Sequence, residues 1–368
     1  MLKGLKVLEL ASIGSSNVCC HLLKDYGATI TRILNPQSAF VDHTLNAEKT
    51  TLSLDLRESP DKIKMMELCK TSDVLLDPFR PKCLDRLGFS PAILHRLNPR
   101  LILARISGYG NVDDRQDKDY YMRPGHDINY LAETGLLWQF TGETCSRPIP
   151  PASMIAEMAG GVYTTAFGIM MALYEREKTG NGKIVDVSIA DGVSYVSSQF
   201  LASRQVSQRT STASFSSALW PDLTKQCANL LDGGAPFYRT YETKDKKYVA
   251  VGAIEPHFYA NLLKELGVPP ATAPQMDRVA WPRICALFSG IFITETREYW
   301  INQKNLVQSA CVSPVWSPEE AIANRPPHTM RPMRFSVSPL SGGSKDKNFS
   351  VQVPSKCPVL LDFPPEDR

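Results

Sequence analysis

Asp73-Val74-Leu75-Leu76 and Leu101-Ile102-Leu103-Ala104 are short apolar runs of the kind buried on both faces of a parallel sheet. Working outward, Val7-Leu8-Glu9-Leu10 reads as a strand, Asn17 to Tyr26 as a helix ended by Gly27, and Ala28 to Ile33 as a second strand. Thr51-Leu52-Ser53-Leu54-Asp55-Leu56 alternates with period two, and Pro60 to Lys70 is helical with Asp61 near its start. Ile184-Val185-Asp186-Val187 closes this half. Strand and helix signals alternating in this way predict a doubly wound, Rossmann-like α/β sheet.

Met158 to Tyr174 is a charge-free run of 17 residues containing Gly160, Gly161, Thr164, Thr165 and Gly168. It reads as a buried, closely packed helix rather than a membrane span. Asn111 to Tyr120, with Asp113, Asp114, Asp117 and Asp119, reads as a solvated loop. The Ser- and Thr-rich segment from Val196 to Ala218 suits an interdomain linker. Beyond it, Phe237 to Tyr241 and Tyr248 to Val251 flank Lys244-Asp245-Lys246-Lys247 as a hairpin, and helical patterns run from His257 to Leu266 and from Trp281 to Ile291. After Ala323, prolines such as Pro326, Pro327, Pro332 and Pro339 preclude a long helix. The expected organisation is a large α/β domain over 1–195, a linker over 196–230, a smaller α+β domain over 231–315 and a Pro-rich segment over 316–368.

The chain has 368 residues, 43% hydrophobic and 21% charged, which excludes wholesale disorder. A net charge of +3 is too balanced for polyanion binding driven by charge alone. Nine cysteines without a C-x-x-C indicate neither a disulfide framework nor a zinc site, so reduced thiols in an intracellular compartment are expected. No secretory signal is legible, and the ending Pro-Glu-Asp-Arg is not a peroxisomal Ser-Lys-Leu. G-x-G-x-x-G after the first strand, H-E-x-x-H and G-x-S-x-G are all absent, and the six histidines do not cluster.

Three ionisable residues in apolar or glycine-rich surroundings remain. His126 lies between Gly125 and Asp127, Glu157 interrupts Met154 to Gly161, and Glu255 follows Val251-Gly252-Ala253-Ile254. Taken singly, they read as a hydrogen-bonded histidine, a carboxylate at a helix amino terminus and a strand-end carboxylate. As a group they also read as acid–base residues, because apolar surroundings disfavour a carboxylate's charged form and make it a better base.

At these residues the chain resembles the family-III CoA transferases, and within them the branch of 2-methylacyl-CoA racemases. The resemblance is carried by Gly4 to Leu10, Asp25-Tyr26-Gly27-Ala28, Asp73 to Arg80 and Pro99 to Gly110. Its most specific marks are Gly125-His126-Asp127-Ile128-Asn129-Tyr130, Leu231 to Tyr238 and Val251 to Pro256. It implies an interlocked homodimer and exchange of the proton on the carbon beside an acyl-CoA thioester. His126 and Glu157 would be the two bases, with Glu255 orienting or charging His126. CoA would be part of the substrate, held by Arg32, Lys49, Arg80, Arg105 and Asp127, and no metal or redox cofactor is implied. Neither nucleic acid nor a membrane is an expected partner, and relatives occur in peroxisomes and mitochondria.

The sequence departs from the family pattern at Glu157, where relatives carry aspartate. One additional methylene moves the carboxylate by roughly an ångström, a displacement that can cost ~100-fold in rate. Asn35 stands where relatives commonly place arginine, Glu48 would repel phosphate, and the family's C-terminal motif is not recognisable after about Pro339. Three readings follow: a racemase or epimerase, a catalytically weak or inactive paralogue, and a CoA transferase passing through an acyl anhydride on Glu157.

Overall fold

The structure is a computed structural model. It describes residues 1–12, 14–38, 45–46, 48–111, 118–141, 147–209, 219–220, 222, 224–326, 330–337 and 347–354. The chain divides into two compact units, one made of 1–134, 150–196 and 325–368, the other of 135–149 and 197–324.

The first unit is built on six parallel strands: β1 (Lys6–Leu10), β2 (Thr29–Leu34), β3 (Thr50–Ser53), β4 (Val74–Asp77), β5 (Ile102–Ser107) and β6 (Ile184–Ser188). Their order is β3-β2-β1-β4-β5-β6, reversing between β1 and β4 as in a doubly wound fold. β4 and β5 are buried at every position, which is why their sequences, apart from Asp77, Arg105 and Ser107, are apolar without alternation. Leu8, Leu10, Leu75, Leu103, Met65 and Phe89 pack into one apolar core. The helices Ser15–Asp25 and Ser59–Thr71 fall within two residues of their expected limits.

The helix expected after Glu157 divides into two. Ile155–Tyr163 is π-helical and Thr164–Thr179 is α-helical. The glycines of the first part serve close packing, as the sequence suggested. A Cβ on Gly160 would lie 2.5 Å from the backbone nitrogen of Val193, and one on Gly192 would lie 2.0 Å from the Gly160 carbonyl oxygen. Burial is one-sided, however. Tyr163, Phe167, Met171 and Tyr174, spaced three or four residues apart, form an exposed stripe.

The second unit holds an antiparallel sheet of β7 (Tyr238–Glu242), β8 (Tyr248–Gly252) and β9 (Val312–Val315), in that order. The expected hairpin is β7–β8. Phe237, Tyr241, Val251, Trp281, Phe288 and Phe292 fill its core beneath the helices Pro256–Glu265 and Trp281–Phe292. Part of the expected linker is a helix, Ser198–Arg209, because Trp220 donates to Ser203 and Phe200 packs on the Trp220 ring. The Pro-rich segment contains strands β10 (Met330–Val337) and β11 (Lys347–Pro354), paired as a two-stranded antiparallel sheet. Residues 112–117 of the acidic loop and 210–218 of the linker lie outside the described residues. Cys227 is disulfide-bonded, against the expectation of reduced thiols throughout, since pairings formed in space leave no mark in spacing. Cys19, Cys20, Cys69, Cys83, Cys285 and Cys311 are free. No described helix is long and apolar enough to cross a membrane.

Candidate functional site

In a doubly wound sheet, ligands bind beyond the carboxyl ends of the strands where the order reverses. Here that point lies between β1, followed by Gly14, and β4, followed by Pro78-Phe79-Arg80. Gly14 takes a φ of 79° and begins the Ser15–Asp25 helix. A Cβ at this position would lie 3.2 Å from Glu157 Oε2, so the Glu157 carboxyl rests on the glycine turn at a helix amino terminus.

His126 is exposed at the start of the Asp127–Glu133 helix, and its backbone N–H donates to Asn129 Oδ1 at 3.1 Å. Tyr130 donates from its hydroxyl to the Gly125 carbonyl at 2.6 Å, fixing the peptide before His126. A second set of contacts anchors the far end of this helix. Tyr109 donates to Glu133 at 2.8 Å, Arg123 donates to the same carboxylate at 2.7 Å, and the Arg123 guanidinium lies over the Tyr109 and Tyr120 rings. Sequence reading missed this clamp, because its members are spread over 109–133 with no motif.

Asp127 joins this helix to the π-helical segment. Its Oδ2 accepts the Glu157 backbone N–H at 2.9 Å across 30 residues of sequence. His126 and Glu157 thereby come near enough to interact. Burial pushes the Glu157 carboxyl above its ordinary range, the Asp127 charge adds to this, and His126 opposes it. Just before the segment, Ala152 and Ser153 take left-handed φ values of 51° and 57°, conformations that L-residues hold at a cost of about 1–2 kcal/mol each.

The groups expected to hold CoA do not share one environment. Arg32 and Lys49 are closed into a buried ion cluster. Arg32 Nε lies 3.1 Å from Glu9 Oε1, Lys49 Nζ lies 2.7 Å from Glu9 Oε2, and Lys49 also bonds Asn17. Their charges serve Glu9, which is fully buried, because an unpaired carboxylate there would be strongly unfavourable. Arg105 is also buried, donating to Asp85 at 3.0 Å and lying 3.8 Å from Asp77 across the sheet. Burial pushes Asp77 up to about 6 in spite of Arg105. The Asp127 side chain is turned inward. Arg80 alone of the five is an exposed cation, and its charge reaches the Tyr130 hydroxyl beside His126. Glu48 pairs with Lys24 at 2.8 Å.

Glu255 belongs to the second unit. It is exposed, precedes Pro256 at the start of the Pro256–Glu265 helix, and acts there on the Cys311 thiol.

The family model for CoA-transferase family III matches residues 2–338. Alpha-methylacyl-CoA racemase of Homo sapiens is 38% identical over 322 residues, covering 87% of this chain and 79% of that protein. A CaiB/baiF CoA-transferase family protein of Caenorhabditis elegans is 39% identical, covering 85% of each chain. Among solved structures, Rv3272 from M. tuberculosis superposes with a TM-score of 0.73 at 19% identity, covering 98% of this chain and 92% of that one, a likeness of fold. The chain belongs to the CoA-transferase family III.

Proposed function

We propose that the protein is an acyl-CoA racemase or epimerase that exchanges the α-proton of 2-methylacyl-CoA thioesters between two bases. The observation that carries this reading is the Asp127–Glu157 hydrogen bond, which brings His126 and a carboxyl of raised proton affinity into one site. A thioester resonates less than an ester, so its α-proton is comparatively acidic. A base positioned on one side of the carbon removes it, and a protonated group on the other side returns one. The enolate between these steps needs hydrogen-bond donors or positive charge. Glu255 has the part of orienting or charging His126. Arg80, exposed at the switch point, is the cation suited to a CoA phosphate. We assign the working form to an interlocked homodimer, in which the stripe of Tyr163, Phe167, Met171 and Tyr174 is covered by a second copy.

The test is incubation of the purified protein with a 2-methylacyl-CoA in deuterated water. Deuterium should enter the α-position, and folded protein that leaves the α-proton in place would overturn the reading. Hydroxylamine trapping of an acyl group on Glu157 would assign CoA transfer instead.

A further inference from the structure

Asp127 is a carboxylate that neither gives nor takes a proton in this chemistry. It is 2% exposed, in the first turn of the Asp127–Glu133 helix. One oxygen accepts the Glu157 N–H; the other, Oδ1, is buried with no hydrogen-bond partner among the described residues. Burying a carboxylate half-satisfied is unfavourable. The equally buried Glu9 shows the alternative, with a cation on each oxygen.

We propose that Asp127 is a positioning residue that ties the Glu157 backbone to the His126 helix and holds negative charge against the Glu157 carboxyl. The inference rests on the proton-exchange reading above. Its effect is to strengthen Glu157 as a base, since a neighbouring like charge makes a carboxylate harder to ionise. The groups facing Glu157 can be named. His126 opposes Asp127, and the Tyr130 hydroxyl, one turn along, is acted on by Glu157 and Asp127 together. The Ser15–Asp25 helix presents its amino end, with His21, Lys24 and Asp25 towards the other end. Thr164–Thr179 likewise carries its charged residues, Glu175 to Lys178, in its last turns. Asp191, on the helix packed against Gly160, acts on Tyr120, while Arg105 and Asp186 act on Asp77.

Asp127→Asn keeps an oxygen to accept the Glu157 N–H but removes the charge; Asp127→Ala removes both. The pH dependence of α-deuterium exchange would be measured for each. In parallel, the Glu157 carboxyl would be titrated by 13C NMR in protein labelled at glutamate Cδ, its signal assigned by its loss in Glu157→Gln. The deprotonated carboxylate is the base, so exchange rises with pH through its titration. Asp127→Asn should move that limb and the NMR midpoint to lower pH. Asp127→Ala should in addition lower the plateau rate by up to ~100-fold through lost position. Superimposable curves for Asp127→Asn and the parent would overturn the inference. If the parent shows no exchange, proton exchange itself is refuted, and the NMR midpoints still decide whether Asp127 sets the proton affinity of Glu157.

Discussion

Two of the buried carboxylates of the first unit, Glu9 and Asp127, are treated in opposite ways. Glu9 on β1 faces Arg32 on β2 in register, receives Lys49 as well, and has both oxygens paired. Asp127 has one oxygen on a backbone N–H and one without a partner, and it borders a half-buried glutamate of raised proton affinity. A fully paired cluster locks β1, β2 and the segment before β3 together. An under-paired cluster stores electrostatic imbalance, which is where proton-transfer groups are found. Family resemblance alone groups Arg32 and Lys49 with Arg80 as CoA contacts; in the structure the first two are buried against Glu9 and Arg80 is exposed.

Substitutions that separate chemistry from stability would break or sharpen this contrast. The largest expected effect is that of His126→Ala. It should lower α-deuterium exchange by about 10²–10⁴-fold, the range for loss of a general acid or base, while an exposed side chain leaves the urea midpoint near the parent's. Equal losses of both would show His126 to be structural. Lys49→Met should act the other way, destabilising the fold by about 3 kcal/mol in urea unfolding because Glu9 loses one of two buried cations. An unchanged midpoint would mean that the cluster does not hold the sheet. Gly14→Ala should affect both properties modestly. A left-handed φ costs alanine about 1–2 kcal/mol, and a Cβ 3.2 Å from Oε2 shifts the Glu157 carboxylate by a few tenths of an ångström, enough for a roughly tenfold loss of exchange.

Much of the architecture was readable locally. The continuous apolar runs at β4 and β5 have no room for a polar face, and helix limits fell near Gly27 and Pro60 for the steric reasons that place such residues there. The glycines at 160 and 161 announced close packing. The π-helical turns around Glu157 were not legible, because a change from i→i+4 to i→i+5 hydrogen bonding requires no particular residue. The same holds for the helix at Ser198–Arg209, whose polar composition matches a linker and whose order comes from Trp220. Within the candidate site, His126 and Glu157 stood out as ionisable groups amid apolar sequence. Gly14, Tyr130, Glu133 and the bond from Asp127 did not, since each acts through a partner distant along the chain.

The sequence by itself determined the parallel sheet, the second unit's hairpin and helices, and the ionisable residues available for chemistry, because periodicity and residue type are local properties. Tertiary structure decided which of those charges are spent on one another and which remain unbalanced. That outcome depends on burial and on distances between segments far apart in sequence, where removing water makes each pairing, or its absence, worth several times its value at the surface.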